Sequence, residues 1–136
     1  MIINADNLIL GRLASFAAKQ ALLGNNIEII NSREAVIVGD KRVVFARYSQ
    51  KVKRGDPHHG PYFPTTPERI LRKTIKNMLP YTQYKGKNAF KKIKCYLTAP
   101  SHIKEGDAVT LEKAKLKSTT IKYIKLKDLV YLLKQK

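Results

Sequence analysis

Acidic side chains are scarce in this sequence. Ten Asp and Glu stand against twenty-seven Lys and Arg in 136 residues, a formal charge of +17. Ten carboxylates cannot neutralise that excess from within, and a compact chain so charged repels itself unless an anion is bound from outside. Cysteine is nearly absent too: Cys95 stands alone, which excludes an internal disulfide and leaves no paired ligands of the zinc type. No apolar stretch nears the roughly 20 residues of a membrane helix. The start, MIINADNLIL, carries no basic leader before an apolar run, so a soluble, cytoplasmic protein is expected. GxGxxG, the Walker lysine loop and HExxH are all missing, so nucleotide hydrolysis and zinc peptidase chemistry have no foothold.

What is present is positive charge, unevenly placed. Residues 1–40 hold three Lys/Arg against four Asp/Glu, residues 41–100 hold fifteen against two, and residues 101–136 hold nine against four. A surface charged only for solubility mixes both signs. A neutral first third and a loaded middle point instead to a polyanion, with nucleic acid foremost. The length suits one domain, spanning 1–136, with a basic Pro/Gly-rich loop at 54–66 and an irregular excursion at 100–118 as insertions.

The order of elements reads as α/β. Met1 to Asn4 is a short strand. Leu13, Phe16, Ala17 and Ala21 then fall at helical spacing, with Gly24 placed to close the helix in a left-handed conformation. Ile27–Ile30 and Val36–Val38 are short, β-branched and almost continuously apolar, as suits strands covered on both faces. Gly39-Asp40 caps a helix from Lys41 to Lys53, along which Arg47, Lys51 and Arg54 share an edge.

Four prolines and two glycines between Gly55 and Pro67 rule out a regular element and leave an extended loop. Its His58, His59, Tyr62 and Phe63 suit stacking on or bonding to unpaired bases; equally, Tyr62 and Phe63 suit pinning the loop to the body. Thr66-Pro67 reads as a hydroxyl cap followed by proline in the first turn. On the helix to about Leu79, Arg69, Arg72, Lys73 and Lys76 line one stripe, and Leu71, Ile75, Met78 and Leu79 the other side. Only Glu68 is near enough to pair with that stripe, so an external partner accounts for it better than internal salt bridges.

Pro80 ends the helix, and a further short one is expected after Gly86. Ile93, Cys95 and Leu97 alternate with polar neighbours as a half-covered strand. Thr119–Ile124 reads as a last strand, and Leu126, Leu129, Val130 and Leu133 as a closing amphipathic helix. Cations in rows, Gly-rich turns and guanidinium forks, the three things phosphate binding needs, all occur in the middle third. By charge and placement, Arg47, Lys51, Lys53, Arg54, His58, His59, Lys87 and Lys91 join the stripe as candidate nucleic-acid contacts, a signal that does not by itself say which nucleic acid. Catalysis has less to work with: Asp56 beside His58 and His59, with Glu68 the one other carboxylate nearby, offers an acid–base pair and little for a metal.

Taken together these residues resemble the universal large-subunit ribosomal protein thirteen family in its archaeal and eukaryotic form. The likeness rests on Leu10-Gly11-Arg12-Leu13-Ala14, Ala18-Lys19-Gln20 and Leu22-Leu23-Gly24 in the first helix. Further along it rests on Gly60-Pro61-Tyr62, Pro67 with Arg69-Ile70, Met78-Leu79-Pro80, Lys85-Gly86 and Ala89. It covers residues 1 to about 100 well and the rest loosely. Asn4 stands where the family usually has Asp, and Asn77 where it usually has Gly; an Asn keeps a left-handed turn accessible. Without a long C-terminal extension, the chain looks archaeal.

The resemblance implies a three-layer α/β/α fold on a mainly parallel four-stranded sheet with a C-terminal helix. It implies a structural and assembly component that binds large-subunit ribosomal RNA and neighbouring ribosomal proteins, with no cofactor, no small-molecule substrate and no membrane. Carried over by residue, the RNA contacts would be Arg12, Gly60, Pro61, Arg69, Arg72, Lys73, Lys76, Lys85 and Gly86. The competing readings are a small RNA-processing enzyme built on Asp56, His58 and His59, and a nucleic-acid binder outside the ribosome, such as a chromatin-type DNA protein.

Overall fold

The computed structural model describes residues 1–119 and 122–135. Strand β1 (Ile2–Asn4), helix α1 (Leu10–Leu22) and strand β2 (Ile27–Ile30) form a crossover unit in which β1 and β2 run parallel, Ile3 beside Ile29. Six residues of α1, Leu10, Leu13, Ala14, Ala17, Ala18 and Ala21, are buried. Four of the six are alanines, which lets the helix lie close to its neighbours. Gly24, at φ +102°, closes α1 as expected, with its N–H donated to the Ala21 carbonyl.

The parallel sheet continues to β4 (Ile93–Cys95), where Ile27 pairs with Ile93 and Ile29 with Cys95. Strand alternation sends Ile3, Ile27, Ile29 and Ile93 to one face, and all four are fully buried. Each contributes about 2 kcal/mol by leaving water. The other face carries Ile2, Glu28 and Lys94 in register and is only partly covered.

The α/β class, the mainly parallel sheet and the C-terminal helix stand as the sequence indicates, but the parallel sheet has three strands among the described residues, not four. Strand β3 (Val36–Val38) instead pairs antiparallel with β5 (Tyr123–Lys125) as a separate ribbon. Helices α2 (Lys41–Lys53) and α5 (Leu126–Lys134) pack on each other and on β5. Because β3 sits on a ribbon, it is not covered on both faces: Val36 is buried and Val38 is exposed. Of the strand expected over Thr119–Ile124, Thr120 and Ile121 lie outside the described residues, and the observed strand begins at Tyr123.

Helix α3 (Pro67–Met78) and helix α4 (Tyr84–Lys91) pack on α1 and β4. Four local expectations need correction here. Thr66 offers no side-chain cap; its hydroxyl is buried without a hydrogen bond, and the Thr66 carbonyl accepting from the Ile70 N–H starts the helix instead. Met78 is exposed rather than in the core, because the helix ends there and Leu79 turns inward alone. Asn77 is helical, with no left-handed backbone. Helix α4 begins before Gly86, not after it, and Gly86 is buried inside it.

Strand β4 stops at Cys95, two residues short of Leu97, which is exposed. The excursion that follows holds two single 3-10 turns, Glu105–Asp107 and Glu112–Ala114. It is irregular but tied down: Val109 exchanges backbone hydrogen bonds with Ile2 and Asn4 on the free side of β1, and Lys115 bridges Leu8. The chain thus travels from one edge of the parallel sheet to the other.

Candidate nucleic-acid interface

Ion pairing divides the cations into two populations. Glu34 accepts from Lys125 at 2.8 Å and Lys127 at 3.0 Å, Glu28 lies 3.8 Å from Lys94, and Asp40 3.7 Å from Lys122. Of the fifteen cations between residues 41 and 100, Lys94 alone has an acidic partner among the described residues. The crowd in the middle third therefore faces outward without internal neutralisation, as its charge partition implies.

Rings rather than carboxylates hold four of the cations that lack an acidic partner. On α3, Lys73 Nζ stands 4.5 Å from the centre of Phe63, the Arg72 guanidinium 4.7 Å from Phe90, and Lys76 Nζ 4.0 Å from Tyr81. From α2, Lys51 Nζ reaches the same Phe63 ring at 5.5 Å and Tyr48 at 5.3 Å. The rings are themselves paired edge to face, Tyr48 with Phe63 at 5.7 Å and Tyr81 with Phe90 at 5.5 Å. A ring quadrupole attracts a cation without cancelling its charge. The ammonium and guanidinium groups are thus positioned and still available to phosphate.

The proline loop takes part in this arrangement and is folded back on itself. The Asp56 N–H donates to the His59 carbonyl at 2.9 Å, and the Tyr62 hydroxyl donates to the Pro57 carbonyl at 3.1 Å; the Gly60–Pro61 peptide is cis. Its two aromatics part company. Phe63 packs against the core, while Tyr62 is 67% exposed, so one pins the loop and the other is presented. His58, His59, Gly60 and Pro61 are exposed at the tip.

The remaining candidates are placed as follows. Arg47, Lys51, Lys53 and Arg54 are exposed along and just beyond the C-terminal half of α2, and Lys85, Lys87 and Lys91 on α4. Gly86 presents nothing outward, since a side chain there would run into the Pro80 carbonyl. Arg12 stands apart: Nη1 donates to the Lys113 carbonyl at 3.3 Å, and with Phe16 and Leu111 it lines a separate groove. Sequence reasoning missed the supporting rings of Phe90 and Tyr81. Their position inside the cationic segment was the available signal.

Enzymes of parallel α/β type bind ligands outside the carboxyl ends of the strands. Here that space is filled by backbone. The Ala5 N–H donates to the Ile30 carbonyl, Asn7 to Glu34, Val36 to Leu8 and Leu126 to Ala35, and Ala5, Leu8, Ser32 and Ala35 are fully buried. Asn4 does its work there as an acceptor: Oδ1 takes the Asp6 N–H at 3.1 Å and the Asn31 amide at 3.3 Å. An Asp would accept both bonds equally well, so the change from Asp removes nothing the turn needs. Neither His58 nor His59 is hydrogen-bonded to the Asp56 carboxylate among the described residues.

Fold and face together define an α/β protein built to meet a polyanion. The sequence pattern described as Ribosomal protein L13 matches residues 1–102, and the chain belongs to that family. It is 41% identical over 127 residues to the large ribosomal subunit protein uL13 of Methanosarcina barkeri, covering 92% of this chain and 91% of that protein. With the uL13 of Archaeoglobus fulgidus it shares 40% over 129 residues, 93% of this chain and 83% of that one. With that of Methanocaldococcus jannaschii it shares 40% over 132 residues, 94% and 93%. The likeness is archaeal in type.

Proposed function

We propose that this chain is a structural, non-enzymatic component of the large ribosomal subunit, working in the cytoplasm as a single domain over 1–136 that binds ribosomal RNA and supports subunit assembly and translation. One observation carries the reading: fourteen of the fifteen cations of the middle third lack acidic partners among the described residues, and four of them, Lys51, Arg72, Lys73 and Lys76, are posed on rings, an arrangement that is costly to a free protein and useful to one bound to phosphate. Family membership agrees with it, since the relatives bear the name of a large-subunit protein.

The RNA contacts in this reading are Arg69, Arg72, Lys73 and Lys76 of α3, with Lys51, Arg47, Lys53 and Arg54 of α2. Lys85, Lys87 and Lys91 of α4 and the loop tip from His58 to Pro61 extend the surface. Arg12, on a different part of the molecule beside the Phe16 and Leu111 groove, contacts a second RNA segment or a neighbouring ribosomal protein. Gly86 acts by packing. The test is sedimentation of the native protein from lysate: co-migration with large subunits is expected, and a free pool alone would overturn the reading.

A further inference from the structure

A groove opens between the proline loop and α3, lined by Tyr62 and Pro64 of the loop, by Arg69, Arg72 and Lys76 of α3, and by Phe90. Phe63, Phe90 and Tyr81 are each occupied by a cation. Tyr62 is not: among the described residues no cation and no ring covers it. Its hydroxyl donates to the Pro57 carbonyl and its ring edge lies near Gly60, which anchors a side chain that is 67% exposed and lines the groove.

An exposed ring anchored through its hydroxyl is not there to fill the core. Arg69 likewise has no acidic or aromatic partner among the described residues. The groove therefore joins an unoccupied π-face to an unneutralised guanidinium, the two groups that an unpaired nucleotide needs for base and phosphate. A continuous A-form stem offers only the second, because its bases are stacked out of reach.

The geometry points to Tyr62 as the stacking platform for one extruded base of the bound RNA, its flanking phosphates lying on Arg69 and Arg72. This rests on the RNA-binding reading above and adds the class of RNA element: an irregular stem with an unpaired nucleotide, not a smooth duplex.

Two hairpins of equal nucleotide number separate the possibilities, one a continuous stem, the other with a single unpaired 2-aminopurine extruded from the stem. At fixed low salt the bulged hairpin binds about tenfold more tightly, with the probe's fluorescence changing on binding. Tyr62→Ala brings the bulged hairpin to the affinity of the continuous stem and abolishes the fluorescence change, and the salt slope, which counts phosphates, does not move. Tyr62→Phe, which keeps the ring, retains the preference. Equal binding of both hairpins by the native chain, or a preference that survives Tyr62→Ala, overturns the assignment while leaving RNA binding in place. Failure to bind either hairpin sinks both readings together.

Discussion

The ammonium of Lys73 stands 4.5 Å above the Phe63 ring, and Lys51 approaches the same ring from another helix. One side chain from the proline loop thus aligns cations of α2 and α3. Phe63→Leu keeps most of the apolar bulk and removes the π-face. It is expected to cost about 1 kcal/mol in stability from two partly exposed cation–π contacts and to weaken RNA binding severalfold. Urea unfolding and binding titrations check the two effects; an unchanged affinity would mean the ring does not position the cations.

Charge on α3 is expected to count in the salt dependence of binding. Each phosphate that a side chain neutralises adds roughly 0.7 to 0.9 to the slope of log affinity against log salt, so replacing Arg69, Arg72 and Lys76 together with Gln should reduce that slope by about 2. Lys94 serves as the control, since it lies on the opposite face of the sheet and is paired with Glu28. Lys94→Gln should leave the slope alone. A drop of about 0.7 from Lys94→Gln, a third of the triple variant's, would show that net charge and not the α3 stripe drives binding.

Two glycines in helices should respond oppositely to the same substitution. A Cβ on Gly86 would overlap the Pro80 carbonyl and the Tyr81 nitrogen, whereas one on Gly11 meets nothing within 4 Å. Gly86→Ala is therefore expected to destabilise by about 2 kcal/mol, outweighing the gain of about 1 kcal/mol in helix propensity. Gly11→Ala keeps that gain. Denaturation midpoints moving in the same direction for both would refute the packing argument.

Residues whose neighbours are close in sequence were the legible ones. The periodicity of Leu13, Ala17 and Ala21, the Asp40 cap, which accepts from the Arg42 N–H, and the α3 stripe all depend on spacing within one element. Strand partners do not. Nothing in Val36–Val38 says that it leaves the parallel sheet for Tyr123–Lys125, because a short apolar run reads alike in either setting. The start of α4 was hidden for a related reason: Gly86 suggests a boundary until the Pro80 carbonyl, brought close by the preceding turn, explains why no side chain fits there. The ring-and-cation pairs likewise join Phe63 to Lys73 and Phe90 to Arg72 across loops whose paths no local pattern dictates.

The Glu34 carboxyl joins the segment between β2 and β3 to β5 and α5 through Lys125 and Lys127. Its pKa is held below the ordinary 4.5, chiefly by the hydrogen bond from Lys125, against the opposing effect of burial. A depressed carboxylate contributes stability in full above its unfolded value and loses it as pH falls through the folded one. The Lys125 pKa is raised by the same bond, so its share persists below 10.5 and is lost as pH rises through the folded value. Glu34→Gln should thus cost about 1.5 kcal/mol near neutrality, with the gap to the native chain closing in strong acid. A gap constant from pH 7 down to pH 2.5 would show that size and not charge matters there.

Cys95 ends β4 with its thiol directed to the helix-covered face of the sheet, and burial pushes its pKa up to about 12, with Arg72 opposing and Glu68 adding to the shift. Only the thiolate attacks alkylating and disulfide reagents, and at pH 8 the folded thiol would be ionised in roughly one molecule in ten thousand. Native protein should therefore react with iodoacetamide far more slowly than the same chain in urea, where the thiol returns to its ordinary range. If the side chain packs as the strand register demands, Cys95→Ala leaves a small void and costs about 1 kcal/mol, while Cys95→Ser costs more because a hydroxyl there is desolvated without a partner. Rapid labelling of the folded protein at pH 8, or a serine variant as stable as the alanine one, would show that the thiol is open to water and that the sheet does not seal this edge.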